Sequence, residues 1–356
     1  MSKNRIILTG GGTAGHVTPN LALIERLHSM GHEIEYIGSS NGIERELIGR
    51  LDIPYHAIAA GKLRRYFDWR NFTDIFRVLL GFLQSLWLML TRRPDVVFSK
   101  GGFVSAPVVW AAWLFRIPVI LHESDYSPGL ANKITLPFAR KICYSFPETL
   151  TLLPQDKAIL TGIPVREELE HGSADKAREI LGFETDKPVL FVIGGSLGSE
   201  VINRAVRNAL EPLLENFNVV HICGAGNTHD TLASFSNYRQ YEYVHDHLKH
   251  FLALADVILS RAGATMLFEI LTLHKPALLV PLSKKASRGD QILNAGSFEK
   301  QGYAMVLEEE KLNRKSLLKS IDKLYREKDG LIRKMSQSDQ SHALHKVLDV
   351  IEEVIA

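Results

Sequence analysis

Short apolar segments alternate with helical patterns along almost the whole chain, and most of these segments are continuously apolar rather than alternating. Continuous apolar segments are typical of parallel strands covered by helices on both faces, because strands with one wet face alternate between apolar and polar residues. Strands that alternate with helices predict an α/β fold with doubly wound parallel sheets. The predicted strands are RIILT, EIEYIG, DVVFS, PVILHE and KICYSF in the first half, and PVLFVIGG, NVVHICG, DVILS, PALLVP and YAMVLE in the second.

The strand–helix pattern restarts once, after a proline turn at residues 162–164. A chain of 356 residues is too long for one ordinary core. We therefore expect two Rossmann-like domains, residues 1–163 and 164–340, with a cleft between them. Apolar side chains at i, i+3, i+4 and i+7 predict an amphipathic helix over residues of about 341–356. We expect this helix to pack back on the first domain, and the alternative is that it packs on the second.

The charge balance of the chain gives no general attraction to nucleic acid. There are 42 Lys and Arg residues against 40 Asp and Glu residues, a formal net charge of +2. Cys143 and Cys223 lie in apolar runs without a CxxC spacing, so we expect buried thiols in a reducing compartment. The chain leads almost directly into a strand and has no run of about 18 uninterrupted apolar residues. The sequence thus predicts a cytoplasmic protein without a signal peptide or membrane span.

A glycine-rich loop follows the first predicted strand, in the stretch GGGTAGHVTP that begins at residue 10. Gly10, Gly12 and Gly15 match the G-x-G-x-x-G spacing, which lets the backbone approach a pyrophosphate at the N-terminus of a helix. A dinucleotide site also needs an acidic residue about twenty positions further on, at the end of the next strand. That strand ends in Gly-Ser-Ser, so the sequence disfavours an NAD-dependent oxidoreductase.

Two further predicted strands open into glycine-containing segments in the second domain. GGSLGS covers residues 194–199, and SRAGATMLFEI covers residues 260–270. Because the carboxyl ends of parallel strands line one edge of a sheet, these segments together favour ligand binding over empty turns. Glu269, about one and a half turns into the predicted helix of the last segment, can accept two hydroxyl groups of a ribose.

His16 lies at the start of the helix that follows the first glycine loop. The positive end of a helix dipole disfavours a protonated ring, and a general base for an attacking hydroxyl group must be neutral. His16 is therefore a candidate catalytic base. The alternative is a histidine that caps or packs the helix.

Three other positions carry polar groups suited to a nucleotide sugar. Asp290 and Gln291 head a predicted helix, where carboxylate and amide groups suit neighbouring sugar hydroxyls; the alternative is an Asp cap with a solvent-facing Gln. Arg166, just past the proline turn, can pair with a diphosphate, or else forms a surface ion pair.

The sequence indicates no metal or cofactor. The histidines of HDHLKHF, residues 245–251, resemble a metal-ligand spacing, but no Cys or Glu completes a site. The chain contains no D-x-D motif of the kind that binds a metal–diphosphate. We expect no cofactor, with a role for Mg²⁺ left open.

Residues 62–93 differ from the rest of the chain, because basic and aromatic side chains precede a long apolar helix. This combination is typical of a surface that rests on an anionic membrane. The alternative is a core helix with a basic solvated edge. The basic residues are Lys62, Arg64, Arg65, Arg70 and Arg77, and the aromatic ones are Tyr66, Phe67, Trp69 and Phe72.

Seven motifs together resemble one family of glycosyltransferases over nearly the whole chain. They are GGGTAGHVTPNLAL, FSKGGFVSAPVV, LHESDYSPGLANK, TGIPVR, GGSLGS, SRAGATMLFEI and GDQILNA. The family is that of the peripheral membrane UDP-N-acetylglucosamine transferases of peptidoglycan synthesis, which make lipid II. The resemblance implies a GT-B fold, a first domain for the undecaprenyl-pyrophosphoryl-MurNAc-pentapeptide, a second for UDP-N-acetylglucosamine, and a place on the cytoplasmic face of the cell membrane.

The resemblance also implies roles for individual residues. Thr13, Ala14, Gly15 and Asp125 would lie at the sugar, Arg166 and Ser196 at the diphosphate, and Val244 and His245 at the uracil. Glu269 would bind the ribose, with Ala264 and Thr265 in the same segment, and Asp290 and Gln291 would lie at the hexose.

Two positions depart from the family pattern, and one of them bears on the mechanism. Ala14 stands where the family often has glycine, and Asp125 stands where it often has asparagine. In an inverting transfer, His16 would remove the proton of the acceptor's 4-hydroxyl group as UDP leaves. Asp125 is a second candidate for this base, and the alternatives are that it binds a sugar hydroxyl or takes no part. Two alternative functions for the whole chain remain: a transferase that glycosylates diacylglycerol, and a UDP-sugar-binding protein without activity.

Overall fold

The computed structural model describes residues 3–61, 70–195, 197–284 and 289–356, with the side chains of residues 70–73 outside the description. The chain divides into two compact units. The first comprises Met1–Val165 together with His342–Ala356, and the second comprises Arg166–Ser341.

The first unit is built on a seven-stranded parallel sheet with the order β3-β2-β1-β4-β5-β6-β7. The chain reverses its direction of strand addition between β1 and β4, which makes this pair the topological switch point. The strands are β1 Arg5–Thr9, β2 Glu33–Ser39, β3 Tyr55–Ile58, β4 Val96–Ser99, β5 Val119–Glu123, β6 Lys141–Tyr144 and β7 Ala158–Leu160.

Helices cover both faces of this sheet, because alternate residues of the central strands point to opposite sides. Ile6 and Leu8 of β1 join one buried apolar cluster, and Ile7 joins another. The helices are α1 Ala14–Ser29, α2 Ile43–Ile48, α3 Arg70–Arg92, α4 Ser105–Leu114 and α5 Leu130–Thr135.

The second unit contains a six-stranded parallel sheet with the order β10-β9-β8-β11-β12-β13. Its switch point lies between β8 and β11. The strands are β8 Val189–Ile193, β9 Asn218–Ile222, β10 Tyr238–Tyr241, β11 Val257–Ser260, β12 Ala277–Leu279 and β13 Met305–Val306. The helices are α6 Ala174–Leu181, α7 Glu200–Asn208, α8 Leu210–Asn216, α9 Leu248–Leu254, α10 Ala264–Thr272, α11 Asp290–Gln301 and α12 Arg314–Ser336.

The last helix, α13, spans Ala343–Ile355 and belongs to the first unit. Val347 and Ile351 of this helix are fully buried in the cluster that contains Ile6 and Leu8. The Nε2 atom of His32 lies 2.9 Å from a carboxylate oxygen of Glu352, a polar contact within the same unit.

Helix α3 contains a segment, Asp74–Arg92, that is long and apolar enough to cross a membrane by length and composition alone. The sequence had predicted no such segment, because Arg77 and Gln84 interrupt the apolar run, yet its average hydropathy is 1.4. Only 28% of the segment is buried. Leu88 and Met89 are among its buried residues and pack in the core of the first unit.

The two parallel-sheet, Rossmann-like units confirm the predicted fold class. All ten predicted strands occur. Cys143 and Cys223 are both buried and unpaired, as expected.

Candidate functional site

The first glycine-rich loop lies at the switch point of the first sheet, between β1 and α1. Thr13 is exposed, has an extended backbone and precedes α1 without a side-chain cap. Ala14, Gly15 and His16 are the first residues of the helix, and its first turn contains no acidic side chain. The positive end of the helix dipole favours an anion nearby and a neutral histidine.

A second pair of glycines packs directly on this loop. Gly101 and Gly102 follow β4 with φ values of +85° and +87°, a backbone region that side chains rarely adopt. A Cβ atom on Gly102 would lie 2.1 Å from the carbonyl oxygen of Gly11, and one on Gly12 would lie 2.6 Å from the ring of Phe103. The loops after β1 and β4 thus form one continuous backbone surface at the switch point.

Asp125 lies in the loop after β5, and the carboxylate of Glu123 organises that loop. Glu123 accepts hydrogen bonds from the backbone N–H of Asp125 at 3.0 Å, the backbone N–H of Gly129 at 3.0 Å and the side-chain amide of Asn132 at 2.8 Å. Three donors satisfy a buried carboxylate and fix the main chain around it. Asp125 is therefore held at the same sheet edge as the N-terminus of α1.

A buried charge cluster that sequence reasoning missed lies beside this edge. Lys100 is 1% exposed, and its ammonium group contacts Nδ1 of His122 at 2.9 Å and the hydroxyl group of Ser124. Burial lowers the pKa of Lys100 to about 8, although the charges of Glu123 and Asp125 oppose the shift. Burial and the Lys100 charge lower the pKa of His122, and burial raises the pKa of Glu123.

The glycine-rich segment of the second unit follows β8. Gly195 and Gly198 have φ values of +93° and +75°, and a Cβ atom on Gly198 would lie 2.1 Å from the carbonyl oxygen of Cys223. Ser199 ends the segment, and its side chain caps α7 by accepting the backbone N–H of Ile202. Such a turn at a helix N-terminus is suited to an anion. Ser196, which was predicted to face the diphosphate, lies outside the described residues.

Glu269 and Arg166 are the two charged groups of the predicted nucleotide site that influence each other. Burial raises the pKa of Glu269 to about 7, and the charge of Arg166 opposes this shift. Arg166 donates to Glu168 at 2.7 Å, the surface ion pair considered as the alternative. Its Nε–H is buried with no hydrogen-bond partner among the described residues. An unsatisfied buried donor is costly, so Arg166 still has a donor to offer an anionic ligand.

Asp290 and Gln291 begin α11, close to the end of β12. The side-chain oxygen of Gln291 accepts the backbone N–H of Leu282 at 3.0 Å, which ties the start of the helix to the strand end. The amide nitrogen is then the group that can donate to a hydroxyl. Gly289, with a φ of +88°, is the N-cap residue, so the suggestion that Asp290 caps the helix was wrong.

The remaining predicted residues of the second unit lie after β10 and β11. Ala264 and Thr265 are the first residues of α10, and Ala264 is buried. His245 is exposed after β10, and its ring stacks on Tyr243 with 6.4 Å between centroids.

The histidine-rich segment near His245 does not form a metal centre within the described chain. His250 accepts the backbone N–H of Ser173 at 2.9 Å. Within the ranges that the structure covers, no group of three or more His, Cys, Asp or Glu side chains is placed to hold a metal ion.

The predicted residues fall into two sets, one on the segments that follow the strands of each sheet. Thr13, His16 and Asp125 belong to the first set, and Glu269 and Gln291 to the second. Lys100, His122 and Glu123 were missed as individual site residues. The dipeptides SK, residues 99–100, and HE, residues 122–123, could have indicated them, because they are polar and stand at the ends of apolar strands.

Comparisons with known proteins cover both units. A family model for the glycosyltransferase family 28 N-terminal domain matches residues 6–144, and one for the family 28 C-terminal domain matches residues 189–354. The chain is 55% identical, over 99% of both chains, to the UDP-N-acetylglucosamine--N-acetylmuramyl-(pentapeptide) pyrophosphoryl-undecaprenol N-acetylglucosamine transferase of Clostridium novyi (strain NT).

Other similar proteins agree with this match. The enzyme of the same name from Geobacillus thermodenitrificans (strain NG80-2) is 54% identical, with 98% of this chain and 99% of that one covered. The crystal structure of Acinetobacter baumannii MurG superposes with a TM-score of 0.77 at 25% identity, over 98% of this chain and 99% of that one. The family resemblance predicted from the seven motifs is confirmed. The chain belongs to glycosyltransferase family 28.

Proposed function

We propose that this glycosyltransferase transfers N-acetylglucosamine from UDP-N-acetylglucosamine to the 4-hydroxyl group of undecaprenyl-pyrophosphoryl-MurNAc-pentapeptide, which converts lipid I into lipid II. The observation that carries this proposal is the similarity of 51–55% identity, over nearly the full length, to enzymes named for that transfer. The polar residues at both sheet edges supply the groups that the reaction needs.

In the first unit, His16 is the proposed base for the acceptor hydroxyl group. It stands in the first turn of α1, where the helix dipole disfavours an imidazolium ion before the reaction begins. Removal of the proton as the new bond forms is the task of a general base. Asp125, on the neighbouring loop, is the second candidate, because a carboxylate can also accept this proton.

In the second unit, Glu269 is proposed to bind the ribose and Gln291 the hexose of the donor. The departing UDP gains negative charge. The N-terminus of α7, together with the unsatisfied Nε–H of Arg166, is suited to receive this charge. Attack on the face opposite UDP inverts the configuration at the anomeric carbon.

We propose further that the first unit rests on the cytoplasmic face of the membrane through α3 and the end of α4. Soluble surfaces rarely expose a large continuous apolar patch unless it binds a partner or a membrane. The opposite side of α3 packs in the core through Leu88 and Met89, which supports a helix that lies along the membrane surface. Among the described side chains of α3, the large apolar ones that are at least half exposed are Ile75, Phe76, Leu79, Leu80, Leu83, Trp87 and Leu90.

The shape and charge beside this patch also suit a lipid surface. An apolar groove of about 450 Å³ runs beside α3 and includes Trp113 and Phe138. A second depression shares those two residues and adds Arg116 and Arg140, both exposed. Each cation near an anionic membrane contributes about 1 kcal/mol.

The exposed patch on α3 argues against the alternative of a core helix with a basic solvated edge. Of the residues predicted from the sequence to contact the membrane, those between 62 and 69 lie outside the described residues, as do the side chains of Arg70 and Phe72.

The experiment that tests the proposed reaction uses purified protein, UDP-N-acetylglucosamine and lipid I in detergent micelles. We expect one product with the mass of lipid II, in which the new linkage is β by its proton coupling constant. A product with retained α configuration would contradict the single-displacement mechanism. Absence of any product would contradict the proposed function.

A further inference from the structure

A buried carboxylate occupies the inner side of the first glycine loop. Glu44 lies on α2 and is fully buried. Its Oε2 accepts the backbone N–H of Gly12 at 3.1 Å, and its Oε1 accepts the backbone N–H of Ser39 at 3.0 Å and the Ser39 hydroxyl group at 2.5 Å. Neither the proposed mechanism nor the family motifs quoted above use this residue.

Glycines from three segments enclose the carboxylate. A Cβ atom on Gly11 would lie 2.5 Å from the carboxylate of Glu44, one on Gly42 would lie 2.2 Å from it, and one on Gly38 would lie 2.9 Å from its Cγ. A side chain at any of these positions would require the Glu44 side chain to shift. The backbones of all three segments therefore lie directly against the Glu44 side chain in its present position.

The position of this carboxylate can be compared with that of the acidic residue in dinucleotide-binding domains. Glu44 lies where the end of β2 meets the loop after β1, which is the place that dinucleotide-binding domains use for ribose and pyrophosphate. In dinucleotide-binding domains the acidic group hydrogen-bonds the ribose of the ligand. In this chain the carboxylate of Glu44 is fully buried and accepts the backbone N–H of Gly12. The carboxylate at that position is therefore bonded to the chain's own backbone.

Neighbouring side chains fix the same loop from other directions. Tyr36, fully buried on β2, donates to the carbonyl oxygen of Gly10 at 2.6 Å and accepts from Asn20 of α1 at 3.2 Å. Tyr55 of β3 donates to the carbonyl oxygen of Ser39 at 2.6 Å. The carboxylate is thus the charged centre of a network that joins β2, the first loop and α1.

We infer that Glu44 is a positioning residue, an internal anion that sets the main chain of residues 10–13 and through it the orientation of His16. This inference rests on the proposed function, because it gives His16 the role of base. A buried carboxylate is retained only where donors satisfy it, and its charge-assisted bonds are stronger than those of a neutral group. Misplacement of a catalytic group by about 1 Å can cost about a hundredfold in rate.

The test compares Glu44→Gln and Glu44→Ala with Glu46→Gln and Glu46→Ala. Glu46 lies on the same helix, but its side chain is 71% exposed and pairs with Arg50, so its variants control for changes in α2. We expect kcat of both Glu44 variants to fall about ten- to a hundredfold, while KM for UDP-N-acetylglucosamine stays within about twofold. The Glu46 variants should match the parent.

Chemical rescue separates positioning from a general structural effect. Glu44→Ala leaves a space bordered by the N–H groups of Gly12 and Ser39, which formate can fill. We expect formate to restore kcat of Glu44→Ala in a saturable way, whereas chloride at the same ionic strength should not. Formate should leave the parent and Glu46→Ala unchanged.

Each outcome has a defined meaning. Parent-like kcat in the Glu44 variants overturns the inference, as does a loss of kcat in Glu44→Ala that formate does not relieve. If Glu44→Ala does not fold, Glu44→Gln tests the inference. Its kcat is then divided by the folded fraction, which circular dichroism measures, and is compared with its KM for UDP-N-acetylglucosamine. If the parent and the Glu46 variants also make no lipid II, the proposed function itself has failed.

Discussion

The ammonium group of Lys100 lies 2.9 Å from Nδ1 of His122, while Nε2 of the same ring lies 2.8 Å from the carbonyl oxygen of Gly162. An ammonium group can only donate, so Nδ1 accepts and Nε2 carries the proton that is donated to Gly162. His122 is therefore a neutral ring in one defined tautomer, which agrees with its lowered pKa. The two residues link the ends of β4 and β5 beneath the loop that carries Asp125.

Lys100→Met should destabilise the protein. The change removes the positive charge that faces Glu123 and Asp125, and breaking a buried charge cluster in this way costs about 3–5 kcal/mol. The measurement is the free energy of unfolding of each variant in urea. Lys133→Met, at an exposed position on α5, is the control and should change stability by less than about 0.5 kcal/mol. Similar free energies of unfolding for both variants would show that the Lys100 cluster contributes little to the stability of the protein.

Donor binding should depend on the ionisation of Glu269. Its pKa is raised to about 7 by burial, and the ionised carboxylate accepts two ribose hydroxyls whereas the protonated acid accepts less well. The affinity for UDP should therefore increase as the pH rises from 6 to 8. Glu269→Gln should bind UDP more weakly, by about 1.5–3 kcal/mol at high pH, and lose much of this pH dependence. Calorimetric titration of UDP at several pH values tests this prediction. If the affinity for UDP depends on pH in the same way in the parent and the variant, Glu269 does not bind the ribose.

His16→Ala should lower turnover by about 10²–10⁴-fold, the usual range for loss of a general base. Its affinity for UDP-N-acetylglucosamine should remain near that of the parent, because His16 belongs to the other unit. Asp125→Asn restores the residue that the family often has and should keep turnover within a few-fold of the parent. Steady-state kinetics with both variants decides between the two candidates: a large loss in Asp125→Asn together with a small loss in His16→Ala would move the role of base to Asp125.

Membrane binding should weaken when the exposed face of α3 becomes polar. Phe76, Leu80 and Trp87 are 73%, 50% and 62% exposed, so their joint replacement by Ser removes apolar contact with lipid while leaving the core intact. Co-sedimentation with anionic vesicles should fall at least about tenfold. Ile180→Ser, at an exposed apolar position on α6 of the second unit, should bind vesicles like the parent.

The charge contribution to membrane binding needs its own variant. Replacing Arg64, Arg65 and Arg70 by Glu should also reduce vesicle binding and should flatten its dependence on salt, because screened cation–lipid attraction is lost. Donor binding should persist in this variant. Unchanged sedimentation at all salt concentrations would exclude these arginines from the membrane face.

The sequence predicted the central strands and missed three strands at the sheet edges. RIILT and PVILHE each contain an uninterrupted apolar core, IIL and VIL, because both faces of β1 and β5 are buried. By contrast, β3 and β7 form the two edges of the first sheet, and β10 forms one edge of the second. Their segments, YHAI, AIL and YRQY, are only partly buried and lack the long apolar run that marks a central strand.

The candidate site residues that the sequence predicts lie near recognisable loops, whereas residues that depend on distant contacts were not predicted. His16 and Glu269 stand beside glycine motifs whose position after a strand is visible in the sequence. Glu44, in contrast, reaches Gly12 across 32 residues of chain, and Lys100 reaches His122 across 22. These pairs come together only through the parallel order of the strands, so no local sequence pattern predicts their contacts.

The most direct test of the central claim is a turnover matrix of two donors and two acceptors. Purified protein is offered labelled UDP-N-acetylglucosamine or UDP-glucose, each with undecaprenyl-pyrophosphoryl-MurNAc-pentapeptide or with diacylglycerol, and the labelled lipid is measured. We predict turnover only for UDP-N-acetylglucosamine with the lipid-linked MurNAc-pentapeptide. Transfer to diacylglycerol, or UDP-sugar binding without transfer to either acceptor, would contradict the account.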